Sequence, residues 1–541
     1  MQIQFENAKT GKKICSINGI ALHSKYDPEK EAERYVQAEA EKCTFSPALV
    51  IVIEPALSYC AHFLQAAFPD AKLACIRACA DFAQTDYLWH ITLNAKNKTA
   101  QAFGEELFLA FGEELLCAAF FTTWTASAQV FKTETDCAWQ AIKQALLKSR
   151  DILGTREYFA KRWLKNMFRF CACATNIVLP PQLPPKSMQK NTAFSGNILI
   201  AASGPSLEPC LPFLRSHRED FFLIALSSAL NVLQNAHIHA DLFFSTDGGY
   251  WAKEHLAHAA ADTPLACSAE SAVPFLCYDE QPIMLLNYGG IIEEKFFALC
   301  DIGRSQKAKR NGTVSGTAAC FALDAFPASN IFFCGLDLAS GAHFQHANPN
   351  ALFEKKAALT KRITPLASIL ADSRFTDTLS LQLYRNWFSS QNTAFTKRIF
   401  RIFPDFSISH NKNNFSPKLG NITDISFSDY EKKYRRTSAR TSLKKSNEKI
   451  IFEPAHLPEK SQRIERLLQF THEARKGELS AMLKKEIFPA LWLTQKRKIA
   501  HHENSAGSAA LEAQYATTME ELEKMLKNLR RPPSTENKGA I

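Results

Sequence analysis

Three short stretches of this 541-residue chain carry the residue types that a phosphate-bearing ligand needs. Ser203-Gly204-Pro205-Ser206-Leu207 directly follows the apolar run NILIAAS (197–203). Gly204 permits a turn whose backbone N–H groups face outward, and Pro205 stiffens it. Ser206 adds a hydroxyl near a helix start, where open donors and partial positive charge favour an anion. Asn311-Gly312-Thr313-Val314-Ser315-Gly316-Thr317 opens a second helix, AACFALDAF, with glycines and hydroxyls suited to the same kind of group. It is not a Walker motif, because no Gly-Lys-Ser/Thr follows. Two donor-rich helix starts in one segment point to a diphosphate or a nucleotide monophosphate. Asp247-Gly248-Gly249 ends another apolar run; its carboxylate suits ribose hydroxyls or a metal, and equally suits a helix cap. Gly335-Leu336-Asp337 is followed by His343 and His346, a carboxylate and a loop imidazole able to supply a general base. Neither GxSxG, HExxH nor a cysteine-nucleophile pattern occurs.

These residues need a scaffold, and the middle of the chain spells one out. NILIAAS, FFLIALS (221–227), ADLFFSTD (240–247), TPLACSA, PIMLLN (282–287) and IFFCGLDL (331–338) alternate with amphipathic helical segments. Such near-continuous apolar strands indicate an α/β domain, a Rossmann-like parallel sheet with helices on both faces. Ligands of these sheets bind outside the carboxyl ends of the strands, where the candidate residues fall. Eleven of the 20 glycines also lie between Gly196 and Gly341.

The flanks read differently. KICSI, Asn18-Gly19 and IALHS form a hairpin signal, and Asp27-Pro28 a helix cap with a first helical residue. ALVIVI (48–53), a helix near 56–68 and KLACI (72–76) outline a nucleotide-binding unit. Its first turn, Glu54-Pro55-Ala56-Leu57-Ser58, lacks the glycines such a turn uses, which makes this domain scaffolding. The proline-rich run from Leu179 to Pro185 reads as an extended connector. The expected organisation is an N-terminal α/β domain (1–178), a linker (179–190), a central domain (191–428) and a helical C-terminal domain (429–541).

Net charge is +10, and the last 111 residues hold 23 Lys and Arg against 14 Asp and Glu. That basic segment is either a solvated face or opposite an acidic partner. Leu511, Tyr515, Leu522, Met525, Leu526 and Leu529 line one helix face, suited to docking on the rest of the chain or forming a homo-oligomer. The 15 cysteines include no CxxC pair and no zinc-ligand spacing, which fits reduced, buried thiols in a cytoplasmic protein. No metal set, transmembrane segment or nucleic-acid-binding pattern is expected. The start MQIQFENAKTGKK lacks an apolar core for a leader.

In order, ILIAASGPSL, ADLFFSTD, NGTVSGTA and IFFCGLDLA with His346 resemble the motility accessory factor (Maf) flagellin glycosyltransferases. The same core resembles the MptE-like 6-hydroxymethylpterin diphosphokinases, and the Gly-Pro-Ser-Leu turn is similar to the donor-binding turn of bacterial sialyltransferases. LHSKYDPEKEAERY and VIVIEPALSY look like the N-terminal domain of long Maf-type proteins. The resemblance implies a sialyltransferase-like central fold in which Gly204, Pro205 and Ser206 contact a donor nucleotide and Gly312, Thr313 and Ser315 hold its phosphate. It implies Asp247 in the donor cleft, Asp337 at its floor and His346 as the aligned histidine, together the catalytic set. The activity implied is transfer of a nonulosonic sugar from CMP to Ser or Thr of flagellin, a nucleotide-sugar being the donor substrate, with no tightly bound cofactor and no metal requirement. The alternatives are phosphoryl transfer from ATP to a pterin and a non-catalytic flagellin-binding chaperone.

Overall fold

Asn18 and Gly19, at φ of 51° and 79°, turn the chain back in the computed structural model as a two-residue hairpin requires. They join β2 (Lys13–Ile17) to β3 (Ile20–Ala21), and β1 (Ile3–Asn7) completes an antiparallel sheet. The structure describes residues 3–178, 197–303, 305–339, 346–368, 378–405, 416–435, 454–489, 491–493 and 506–530. The expected connector 179–190, His343 and most of the basic block after Glu431 lie outside the described residues. The chain divides into two compact units, Met1–Lys161 with Glu473–Glu520, and Arg162–His472 with Glu521–Ile541. Residues 429–541 are thus shared between the units rather than forming one body. The division also falls within the helix Lys132–Cys173.

In the first unit, Asp27 caps the helix Pro28–Lys42, its Oδ1 accepting the N–H groups of Glu29 and Lys30. A parallel sheet of β4 (Leu49–Ile53), β5 (Lys72–Arg77), β6 (Ile91–Asn94) and β7 (Ala119–Thr123) runs in the order β6-β5-β4-β7. The helix expected near 56–68 begins only at Ala61, because Glu54, Ala56 and Ser58 take φ of 40°, 47° and 61°. Left-handed backbone at three non-glycine residues is costly and needs a surrounding structure that enforces it. The Glu54 carboxylate supplies this. Its Oε2 accepts the N–H groups of Ala78 and Cys79, and its Oε1 accepts those of Ala56 and the buried Arg77 guanidinium. Arg77 also donates to Ala56 O, Ser58 Oγ, Thr85 Oγ1 and Asp86 Oδ1. Cys15, Ile17 and Leu22 of the hairpin pack on Ala56, Leu57 and Phe82 over this loop. The crevice that a nucleotide would use is filled by the protein's own carboxylate and guanidinium.

The second unit holds a parallel sheet, among the described residues, in the order β14-β13-β12-β11-β10-β9-β15-β16-β17, with β8 (Ile177–Val178) on β13. β9 (Asn197–Ala201), β10 (Phe221–Leu226), β11 (Leu242–Ser245), β12 (Leu265–Ser268), β13 (Ile283–Asn287) and β14 (Gln306–Lys307) step outward in one direction. β15 (Ile331–Cys334), β16 (Ile399–Phe403) and β17 (Thr423–Ser426) lie on the other side of β9. The topological switch therefore falls between β9 and β15. Alternate strand residues bury two faces. Ile198, Ile200, Ile331 and Phe333 pack with Ala318, Phe321 and Ala322 of the helix Val314–Ala325. Phe332 meets Phe400 and Tyr430. β16 and β17 extend the sheet beyond the strands expected from the sequence. Their fully buried Arg401 stands opposite Asp424 in register and forms a bidentate pair with it at 2.7 and 2.8 Å. The apolar face expected near the C-terminus is buried at Leu511, Tyr515, Leu522 and Leu526.

Candidate functional site

The first cluster sits at the switch point. A Cβ on Gly204 would stand 2.4 Å from Asp337 Oδ2 and 2.5 Å from Gly335 O, so the glycine is there to admit its own neighbours. Asp337 Oδ2 accepts the Ser206 N–H at 2.7 Å. The Gly204 N–H donates to Gly335 O, and the Leu207 N–H to Gly204 O. This corrects the expectation of outward-facing donors at Gly204–Ser206: the turn satisfies its N–H groups internally. Asp337 is 1% exposed, a brace for the turn rather than a group open to substrate. Burial raises its pKa, partly offset by Ser206, Ser416 and the Arg401 guanidinium. Arg401 Nη1 and Arg385 Nη1 hold the carbonyls of Leu336 and Leu338 on either side.

His346 reaches the same cluster, its Nδ1 3.0 Å from Ser203 Oγ, while the Ala347 N–H donates to Ser203 O. Burial and nearby His255 push its pKa down to about 4. The imidazole is neutral at physiological pH and a poor proton acceptor, because an effective base titrates near the working pH. His346 stands beside the Gly204 turn, and its environment argues against the role of base.

The second cluster lies along the carboxyl ends of β11 to β14. Asp247 is exposed, with Oδ1 accepting the Gly249 N–H at 2.8 Å. Thr313 caps the helix Val314–Ala325: its Oγ1 accepts the Gly316 N–H at 2.7 Å and lies 2.9 Å from Ser315 Oγ. Among the described residues this leaves the Val314 and Ser315 N–H groups as the helix's open donors. Gly316 fits because Asn311 fills the space its Cβ would take, and Asn311 Oδ1 accepts the Thr313 N–H. Gly312 is exposed beside the Tyr384 ring, 3.7 Å from where its Cβ would stand, and Tyr384 feels the Asp247 charge. The structure thus brings Asp247, Gly312, Thr313 and Ser315 to one edge. The Gly204–Asp337–His346 cluster is two strands away, roughly 10 Å at ordinary strand spacing.

Sequence reasoning missed Tyr384, Arg310, Glu270, Tyr288 and Trp163. Arg310 adjoins the Asn311–Thr317 motif and was visible there. Trp163 gave no local signal, since it packs on Gly248 across 85 positions of sequence. A cavity of about 220 Å³ beneath the helix Leu230–Asn235, lined by Leu233, His237, Ile238 and Thr263, includes none of these residues. No group of three or more potential metal ligands occurs among the described residues. No described helix is long and apolar enough to cross a membrane.

A large parallel sheet flanked by helices defines an α/β domain. Residues 175–342 match the family described as 6-hydroxymethylpterin diphosphokinase MptE-like. An uncharacterized protein of Treponema pallidum (strain Nichols) is 32% identical over 294 residues, 54% of this chain. The match spans 62% of that relative's length, less than two thirds. A Maf glycosyltransferase from Magnetospirillum magneticum AMB-1 shares the fold, with a TM-score of 0.54 and 12% identity over 98% of this chain and 91% of that one.

Proposed function

We propose that this chain transfers a nonulosonic, sialic-acid-like sugar from a CMP-activated donor to a Ser or Thr hydroxyl of flagellin or a similar protein. The observation that carries the reading is the start of the helix Val314–Ala325. Its open Val314 and Ser315 N–H groups and the Thr313 and Ser315 hydroxyls stand on the same strand-end edge as the exposed Asp247. The fold shared with a glycosyltransferase agrees with it. In the reaction the bond from the anomeric carbon to the phosphate oxygen breaks, and its electron pair leaves with CMP. The acceptor oxygen bonds to that carbon, and its proton passes to the Asp247 carboxylate. Donors at the helix start stabilise the charge growing on the leaving phosphate. Asp337 and His346 hold the neighbouring turn. The scheme needs no metal and no tightly held cofactor.

The MptE-like match favours a second reading, pyrophosphoryl transfer from ATP to a pterin. That chemistry calls for carboxylates gathered on Mg²⁺. Asp337 is enclosed and already engaged by Ser206, which leaves Asp247 without it as a partner. Isothermal titration separates the readings. Binding of CMP without metal supports glycosyl transfer, binding of ATP only with Mg²⁺ supports the kinase, and binding of neither leaves a flagellin-binding chaperone.

A further inference from the structure

Arg310 precedes the helix-start motif by one residue and is clamped from three sides. Its guanidinium carbon lies 5.2 Å from the Trp163 ring centroid and 4.9 Å from that of Tyr288. Its Nη2 donates to Glu270 Oε1 at 2.7 Å. A guanidinium carries five N–H donors in one plane, and among the described residues Glu270 takes one. The side chain as a whole is 43% exposed, while the guanidinium itself sits between the two rings and Glu270. Held this way, it loses little freedom when it binds.

The clamp belongs to the strand-end edge already described. Trp163 Cδ1 is 2.4 Å from where a Gly248 Cβ would stand, so its ring lies on the backbone next to Asp247. Asn166 Nδ2 donates to Gly248 O and Glu270 O, tying the loops after β11 and β12 together. Arg310 therefore spans from the phosphate-type helix start to the loop of Asp247. The Glu270 charge is balanced by Arg310 itself. Nearby Glu293, buried and beside Glu270, has its pKa pushed up to about 7, which limits the negative charge an anion would meet.

Nonulosonic sugars carry a carboxylate on the same carbon that bonds the phosphate, so their nucleotides present two anions side by side. A helix start suits the tetrahedral phosphate, and a planar fork suits a carboxylate. We propose that Arg310 binds the carboxylate of the donor sugar and so selects nonulosonic over neutral-sugar nucleotides. This rests on the glycosyl-transfer reading above.

The test is isothermal titration of the full-length protein and its Arg310→Lys and Arg310→Met variants with CMP and with CMP-N-acetylneuraminate. Arg310→Met is expected to weaken CMP-N-acetylneuraminate about 100-fold, the loss of two charge-assisted hydrogen bonds, and to leave CMP within about twofold. Arg310→Lys, which keeps the charge but not the fork, should fall between. Equal losses for both probes would put Arg310 on the phosphate and overturn the inference while sparing the reading beneath it. Unchanged affinities would remove Arg310 from the donor site. A wild-type protein that binds ATP with Mg²⁺ and neither CMP probe would overturn both. Should Arg310→Met unfold because Glu270 loses the Arg310 guanidinium, the double variant Glu270→Gln/Arg310→Met removes both charges and is read the same way.

Discussion

Gly204→Ala tests why a glycine stands at the end of β9. The new Cβ would sit 2.4 Å from Asp337 Oδ2 and 2.5 Å from Gly335 O, about 1 Å inside ordinary contact. Neither oxygen is a loose end, since Asp337 holds the Ser206 N–H and Gly335 O accepts the Gly204 N–H. Forcing the atoms apart costs about 1–3 kcal/mol as overpacking. Losing the charge-assisted bond to Ser206 costs about 1.5–3 kcal/mol more. The expected loss is therefore about 2.5–6 kcal/mol. With a urea slope of about 3 kcal/mol/M, the midpoint of the second unit falls by about 0.8–2 M. Urea unfolding of the full chain, followed by fluorescence and limited proteolysis, reads this out. In an Asp337→Ala background the same substitution should cost less, because one of the two clashing atoms is gone. A Gly204→Ala protein that unfolds at the wild-type urea concentration but no longer binds CMP would refute the reasoning. The space would then belong to a ligand.

Three further outcomes follow from particular groups. Glu54→Ala leaves three buried N–H groups without their acceptor and Arg77 with Asp86 as its anionic partner, so the first unit should lose about 3–5 kcal/mol; wild-type protease resistance would contradict the network. His346, pushed down to about 4 from 6.5, binds fewer protons folded than unfolded between those values. Its contribution to stability is complete above pH 6.5 and is lost as pH falls toward 4; a His346 NMR titration midpoint near 6.5 would contradict this. Transfer activity should survive EDTA, and loss on chelation with recovery in Mg²⁺ or Mn²⁺ would move the chemistry toward the kinase.

What the sequence revealed is what local chemistry controls. Asn18-Gly19, Asp27-Pro28 and the apolar strands from Asn197 to Cys334 announce themselves through turn propensity, capping and periodicity. The chain edge at β16 and β17 was hidden because Arg401 and Asp424 look like solvent-facing charges. They neutralise each other across the register, which only the paired strands reveal. The helix expected near 56–68 starts late for another reason: the Glu54 carboxylate enforces left-handed backbone at non-glycine residues, which local propensity does not anticipate. The Gly204 turn was placed correctly, and its donors were then claimed by Asp337 and Gly335, partners more than 130 residues away. Trp163 and Tyr384 join the site from distant helices, so no spacing could have pointed to them.

The intact mass of flagellin from cells with and without this protein bears most directly on glycosyl transfer. Masses raised by whole nonulosonic acid residues only when the protein is present are the expected result, with an Asp247→Ala strain behaving like the deletion. Identical flagellin masses in the two cells would contradict it.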